Sequence, residues 1–258
     1  MSEPDIHPTA IIDAAAEIAE GVRIGPHCVI RGKVTIGEGS ELLNHVTIEG
    51  PTEIGQGNIF HSGGVIGGRT QDLKYDGEPT YLKIGDHNTF REYVTVNRAT
   101  IKGESTVIGS HGNFLAYSHI AHDCIVGDHV IFSNNGTLAG HVTMGDYAIL
   151  GGLTAVHQFC RIGDHAITGG CSKIVQDVPP YMIADGNPAK VRSVNIEGLR
   201  RRGFNDESIR AVKKAYKKLY RKDLNNSDAL EALKEIDDPS GAVGKLVDFV
   251  STTERGIH

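Results

Sequence analysis

The chain has 258 residues, enough for one large domain or a domain with an appendage, and a core of that size needs no disulfide staples. Hydrophobic residues make up 39%, charged residues 22%, and the formal net charge is -6, a balance that fits a soluble protein and argues against an overall nucleic-acid binder. The opening "MSEPDIHPTA" carries acids and prolines where a secretory signal needs a basic start and an apolar run, and no apolar stretch approaches membrane-spanning length. A cytoplasmic protein without membrane insertion is expected.

From the N-terminus onward every sixth residue is apolar: Ile6, Ile12, Ile18, Ile24, Ile30, Ile36, Leu42, Ile48, Ile54, Phe60 and Ile66. The beat resumes at Ile84, Phe90 and Val96, and runs again from Ile108 through Phe114, Ile120, Val126, Phe132 and Leu138 to Ile174, with Thr168 its one polar member. Four positions after each of these lies a small residue, among them Ala10, Ala16, Cys28, Ser40, Ser118, Cys124, Ala148, Cys160 and Ala166. An α-helix needs a period near 3.6, so a period of six means short extended segments, each sending one large and one small side chain into a shared interior. The pattern predicts a parallel β-helix of hexapeptide repeats, three walls to an 18-residue coil, with coils stacked about 4.8 Å apart.

The beat fails at Asp72, Glu78 and Lys102, so "GGRTQDLKYDGEPT" (Gly67–Thr80) and roughly Arg98–Glu104 are predicted to leave the walls as loops. Loops that interrupt so regular a wall point to function.

Next comes "HIAHDC", His119–Cys124. Ile120 and Cys124 hold inward positions, which turns His122 and Asp123 outward. Adding 18 reaches the neighbouring coil, so Asp123 lies under His141 and His122 under Gly140, with Gln158 above and His157 beside it. An imidazole with a carboxylate to fix its tautomer is a positioned general base. The patch holds no Ser or reactive Cys to act as nucleophile, which favours direct attack by a substrate hydroxyl or amine, with the Gly140 N–H stabilising the oxyanion. Cys28, Cys124 and Cys160 occupy the small inward register and are read as buried filler.

After Pro179 the pattern changes. "DVPPYMIADGNPAK" reads as an exit segment, and "NDESIRAVKKAYKKLYRKD", "SDALEALKEI" and "SGAVGKLVDFVSTTERG" read as helices. The expected division is a β-helix over 1–190 and a small helical domain over 191–258. Arg200–Lys222 holds ten basic residues (Arg200, Arg201, Arg202, Arg210, Lys213, Lys214, Lys217, Lys218, Arg221, Lys222) against Asp206 and Glu207, which points to an anionic partner.

Several blocks carry a closer resemblance: Gln71–Tyr75, "GEPT" at Gly77–Thr80, "HIAHDC", "LAGHV" at Leu138–Val142, "GGLTAVHQFC" at Gly151–Cys160, "QDVPPY" at Gln176–Tyr181 and "NIEGLRRRGF" at Asn195–Phe204. Over essentially its whole length the chain resembles the UDP-N-acetylglucosamine 3-O-acyltransferases that begin lipid A biosynthesis, within the hexapeptide-repeat acyltransferase superfamily. The resemblance implies a mainly β fold, a left-handed parallel β-helix with a C-terminal helical domain, assembled as a homotrimer. It implies transfer of an (R)-3-hydroxyacyl group from acyl carrier protein to UDP-N-acetylglucosamine, with no cofactor and no metal. Carried over by motif, His122 is the base, Asp123 its partner and Gly140 the oxyanion donor. Asp72, Lys74, His119, His141, His157, Gln158, Asn195, Glu197 and Arg201 bind substrate, and the basic helices dock the carrier protein. Ile167 and Gly170 set acyl-chain depth, Gly170 favouring a long chain. Val96-Asn97-Arg98-Ala99-Thr100 departs from the family's "IHRGT".

Three other readings compete. A γ-class carbonic anhydrase needs three histidines on zinc, and its His-x4-His spacing is absent here. A scaffold without activity makes no use of Asp123 or the loops. A hexapeptide transferase acting on another acceptor shares the fold.

Overall fold

The computed structural model describes residues 3–220, 226–238 and 240–258. Period-six segments form short strands on three walls. The first wall runs from Asp5–Ile6 to Ile167–Thr168, the second from Ile11–Ile12 to Lys173–Ile174, and the third from Glu17–Ile18 to Arg161–Ile162. The strands of each wall pair in parallel, one coil to the next, as a left-handed β-helix. Ile131 faces Ile149, an offset of 149 - 131 = 18 residues. The two loops stretch that offset: Ile59 faces Thr89 (89 - 59 = 30) and Thr89 faces Asn113 (113 - 89 = 24).

Both inward registers form the core. Ile30, Ile36, Leu42, Ile48, Phe60 and Ile66 are essentially solvent-free, as are Cys28, Val34, Ser40 and Val46. At the first, unstacked coil the same register is open, and Ile6 is 42% exposed. Like residues stack from coil to coil, so Phe60, Phe90, Phe114 and Phe132 make a column with ring centroids 4.9, 4.7 and 5.0 Å apart.

Six residues per wall leave room for a very tight corner. The chain makes it with a left-handed residue at every sixth position from His111 to Cys171, all of them non-glycine. Each costs about 1 kcal/mol of steric strain, offset where corner side chains stack. His87, His111, His129, Tyr147 and His165 form such a ladder, with centroids 5.3, 4.8, 4.6 and 4.9 Å apart.

Beyond Pro179 the structure differs from the sequence expectation. The exit segment is an antiparallel hairpin, Met182–Gly186 with Ala189–Val194, whose first strand continues the first wall by pairing Ile183 with Ile167. A short helix unmarked in the sequence, α1 (Ile196–Arg201), follows. The expected helices are α2 (Asp206–Tyr220), α3 (Asn226–Lys234) and α4 (Ala242–Ser251). Asn205 Oδ1 accepts the Ser208 N–H at 2.8 Å and so begins α2. Val212, Ala215, Leu233 and Leu246 bury their side chains between the helices. No described helix is long and apolar enough to cross a membrane.

The basic cluster is partly engaged within the chain. Arg202 lies over the Tyr147 ring at 4.5 Å, Arg201 pairs with Glu197 at 3.3 Å, and Lys218 donates to the Ala232 carbonyl. Arg200, Arg210, Lys214 and Lys217 are exposed, while Arg221 and Lys222 lie outside the described residues.

Candidate active site

His122 and Asp123 sit on the corner between second-wall strand His119–Ile120 and third-wall strand Ile125–Val126. Asp123 is the left-handed residue of that corner (φ 58°), and the buried Thr106 hydroxyl accepts its N–H at 2.9 Å. This backbone turn aims the carboxylate back across its neighbour. Asp123 Oδ2 lies 2.7 Å from His122 Nδ1, with the two side chains 6% and 13% exposed.

Burial pushes the Asp123 carboxyl up. The hydrogen bond to His122, the N–H groups of Thr100 and Ile101 and the nearby His141 outweigh it, leaving the carboxyl below its ordinary value. An ionised carboxylate can only accept. Nδ1 of His122 is therefore the donor in this bond, which leaves Nε2 as the ring nitrogen turned away from the carboxylate.

Gly140, one coil above, explains the position of the ring. A Cβ there would stand 2.4 Å from His122 Cε1 and 2.6 Å from Nε2. The imidazole occupies the space that a side chain would fill. No described residue accepts the Gly140 N–H, so it is free to donate. His141 holds its Nε2 3.7 Å from Asp123 Oδ2, crosses the His122 ring edge-on at 5.2 Å and stacks on the half-exposed Phe159 at 4.6 Å. His119 completes the cluster: Thr95 Oγ1 is 2.7 Å from its Nδ1, and burial, then His122, lower its pKa.

Ligand atoms of His122, Asp123 and His141 lie within 4.8 Å of one another, a grouping that could hold a metal ion. Yet ligand atoms on a tetrahedral zinc, with bonds near 2.0–2.1 Å, stand about 3.3 Å apart. The His122–Asp123 contact, at 2.7 Å, has the spacing of a hydrogen bond.

The remaining residues singled out from the sequence lie at varied distance from this cluster. His157 and Gln158 are exposed on the coil above, where Phe159 N–H donates to the Gly140 carbonyl. Asp72 and Lys74 lie in the first loop, Lys74 exposed and its N–H on Asp72 Oδ1 at 2.9 Å. Asn195 is 5% exposed and caps α1: its Oδ1 accepts the Gly198 N–H and its Nδ2 donates to the His165 carbonyl. Glu197 and Arg201 pair on the surface. Ile167 and Gly170 belong to a different corner, between the first and second walls, where a Cβ on Gly170 would meet only the Gly152 carbonyl at 3.5 Å.

Sequence reasoning missed the groups that hold the carboxylate. Thr100 N–H points at both Asp123 oxygens, 3.1 and 3.0 Å away, and Ile101 N–H reaches one at 3.4 Å. The one signal for them was the broken beat at Lys102. Both loops, 69–80 and 98–104, leave the second wall and rejoin the third, the same corner that carries the dyad, two coils after the first loop and one after the second.

Comparison with known proteins identifies the family. Residues 177–258 match the family model "Udp N-acetylglucosamine O-acyltransferase; Domain 2". A protein of Akkermansia muciniphila named acyl-acyl-carrier-protein–UDP-N-acetylglucosamine O-acyltransferase is 56% identical, the match covering 98% of this chain and 99% of the relative. One of the same name from Thermodesulfovibrio yellowstonii is 50% identical over 98% of each. The solved structure of LpxA from Acinetobacter baumannii superposes with a TM-score of 0.95 at 46% identity, covering 98% of both chains. With the β-helix, the corner dyad and full-length identities of this size together, the chain belongs to the acyl-acyl-carrier-protein–UDP-N-acetylglucosamine O-acyltransferase family.

Proposed function

We propose that the chain transfers an (R)-3-hydroxyacyl group from acyl carrier protein to the glucosamine 3-position of UDP-N-acetylglucosamine, the first step of lipid A biosynthesis. The observation that carries this reading is the His122–Asp123 pair beneath Gly140, with no serine or reactive cysteine beside it among the described residues. Nε2 of His122 takes the proton of the 3-hydroxyl as its oxygen attacks the thioester carbonyl. The tetrahedral oxyanion accepts the Gly140 N–H. Collapse breaks the carbon–sulfur bond, and the imidazolium returns its proton to the departing thiolate, leaving ester, free carrier thiol and neutral base.

In this reading His119, His141, His157 and Gln158 line the sugar-nucleotide site and Asp72 and Lys74 approach it from the first loop. Asn195, Glu197 and Arg201 serve the nucleotide of a neighbouring subunit in a homotrimer, and Ile167 and Gly170 bound a long acyl chain. Residues 1–190 form the acyltransferase domain and 191–258 a helical domain whose exposed bases receive the acidic carrier protein, in the cytoplasm.

The test is incubation with UDP-N-acetylglucosamine and hydroxyacyl carrier proteins of graded chain length, with products weighed by mass spectrometry. His122→Ala is expected to lose about 10²-fold or more in kcat. A His122→Ala enzyme with undiminished turnover, or no mass gain by the nucleotide sugar, refutes the reading.

A further inference from the structure

The two loops that break the six-residue beat meet at a part-buried hydroxyl pair. Thr70 Oγ1 and Thr100 Oγ1 are 2.6 Å apart, and Thr70 is 6% exposed in a loop whose tip, Leu73, is fully exposed. Each threonine has a second partner that leads away from the pair. On one side the Thr70 hydroxyl accepts the Asp72 N–H at 3.1 Å, and Asp72 Oδ1 in turn accepts the Lys74 N–H. On the other side the Thr100 N–H donates to the Asp123 carboxylate, which is bonded to His122 Nδ1. The base of the first loop is anchored separately: Asn97 Nδ2 donates to the Arg69 carbonyl at 3.1 Å and Arg98 to that of Gly67. The threonine contact is therefore not needed to close the loop.

We infer that Thr70 and Thr100 are positioning residues, a hydroxyl latch that ties the loop carrying Asp72 and Lys74 to the carboxylate that orients His122. The inference rests on the base reading above. Substrate held by the first loop pulls on Thr70, and the latch transmits that pull to the Thr100 amide and so to Asp123. With the latch closed, the Thr100 N–H takes up part of the carboxylate's charge and fixes its plane, so the imidazole is aligned when the sugar is in place. The titratable groups facing that imidazole are Asp123, His119 and His141. Opening the latch leaves Asp123 with fewer donors, which strengthens its hold on an imidazolium.

The experiment uses the full chain with UDP-N-acetylglucosamine and hydroxyacyl carrier protein, in Thr70→Val, Thr100→Val and the double variant. Thr70→Ala and Thr100→Ala replace them if thermal unfolding shows that valine crowds the corner. Thr70 touches no member of the dyad, yet its variant is expected to lower kcat about 10-fold, roughly the factor one lost hydrogen bond is worth. It is also expected to move the acidic limb of the kcat profile to higher pH. The double variant should be no worse than either single one, and Thr→Ser at each position should restore activity and pH profile. Effects that multiply in the double variant, or a Thr70→Val change confined to KM with the acidic limb unmoved, overturn the latch. His122→Ala separates the two levels: residual full turnover there defeats the base reading, whereas a dead His122→Ala beside an unmoved Thr70→Val limb defeats the latch alone.

Discussion

Gly140→Ala isolates the position of the His122 ring from everything else at the corner. The new Cβ would lie 2.4 Å from His122 Cε1 and 2.6 Å from Nε2. Ordinary carbon contacts begin near 3.5 Å, so the ring must retreat by about 1 Å. What yields is the far end of a side chain and not backbone, so global stability should fall by only about 1–3 kcal/mol. Catalysis is less forgiving. A retreat of that size stretches the 2.7 Å bond to Asp123 past hydrogen-bonding reach. A 1 Å misplacement costs about 10²-fold in rate, equivalent to about 2.7 kcal/mol of barrier. Alanine keeps the backbone N–H, so the proposed oxyanion donor survives and the loss reports the imidazole. The assay is steady-state turnover of nucleotide sugar with hydroxyacyl carrier protein, beside a thermal melt. A variant that turns over within about threefold of the parent refutes the proposed packing of ring on glycine.

Four further outcomes are expected. Asp123→Asn removes the charge that orients His122 and should cut kcat by about 10²-fold with KM for the sugar nucleotide little changed; equal kcat would dismiss the dyad. Phe114→Ala opens the middle of the phenylalanine column and should destabilise by about 3–5 kcal/mol in guanidinium titration; a loss under about 1 kcal/mol would contradict its packing role. Burial pushes the Cys124 thiol up to about 12 and Cys160 to about 11, while Cys171 is exposed, so a thiol reagent at neutral pH should label Cys171 in the folded protein and the rest on unfolding. Burial also lowers His119, His165 and His258 below 6.5. The unfolded chain then binds more protons than the native one, so their contribution is intact above pH 6.5 and is lost as pH falls through the lowered values; His165→Phe should flatten that slope in melts at pH 5 to 7.

The walls were legible because each wall segment spends two of its six residues on the interior, and a period of six admits no helix. Both inward registers, and therefore the outward turn of His122 and Asp123, followed from that count. The hairpin after Pro179 was not legible. Met182 and Ala184 alternate inward, but their pairing depends on the open top of the first wall at Ile167 and Thr168, which no local pattern announces. The Thr100 and Ile101 donors were invisible for another reason: every residue but proline has an N–H, and its direction depends on the loop. Asn195 shows a third limit. Its side chain caps a helix and bridges to His165, and a capping asparagine looks in sequence like one that meets a ligand.

The two stretched offsets, 30 and 24 residues against the usual 18, have an implication for how such a molecule can change length. A single residue inserted within a wall would throw every later side chain onto the wrong face. Chain added where the second wall hands over to the third leaves all downstream slots intact, as Phe60, Phe90 and Phe114 demonstrate by stacking straight across both loops. Growth and shrinkage are thus tolerated at the edge beside the imidazole and forbidden nearly everywhere else. The coil is at once a rigid ruler and a peg on which the loops can be rewritten without disturbing its marks.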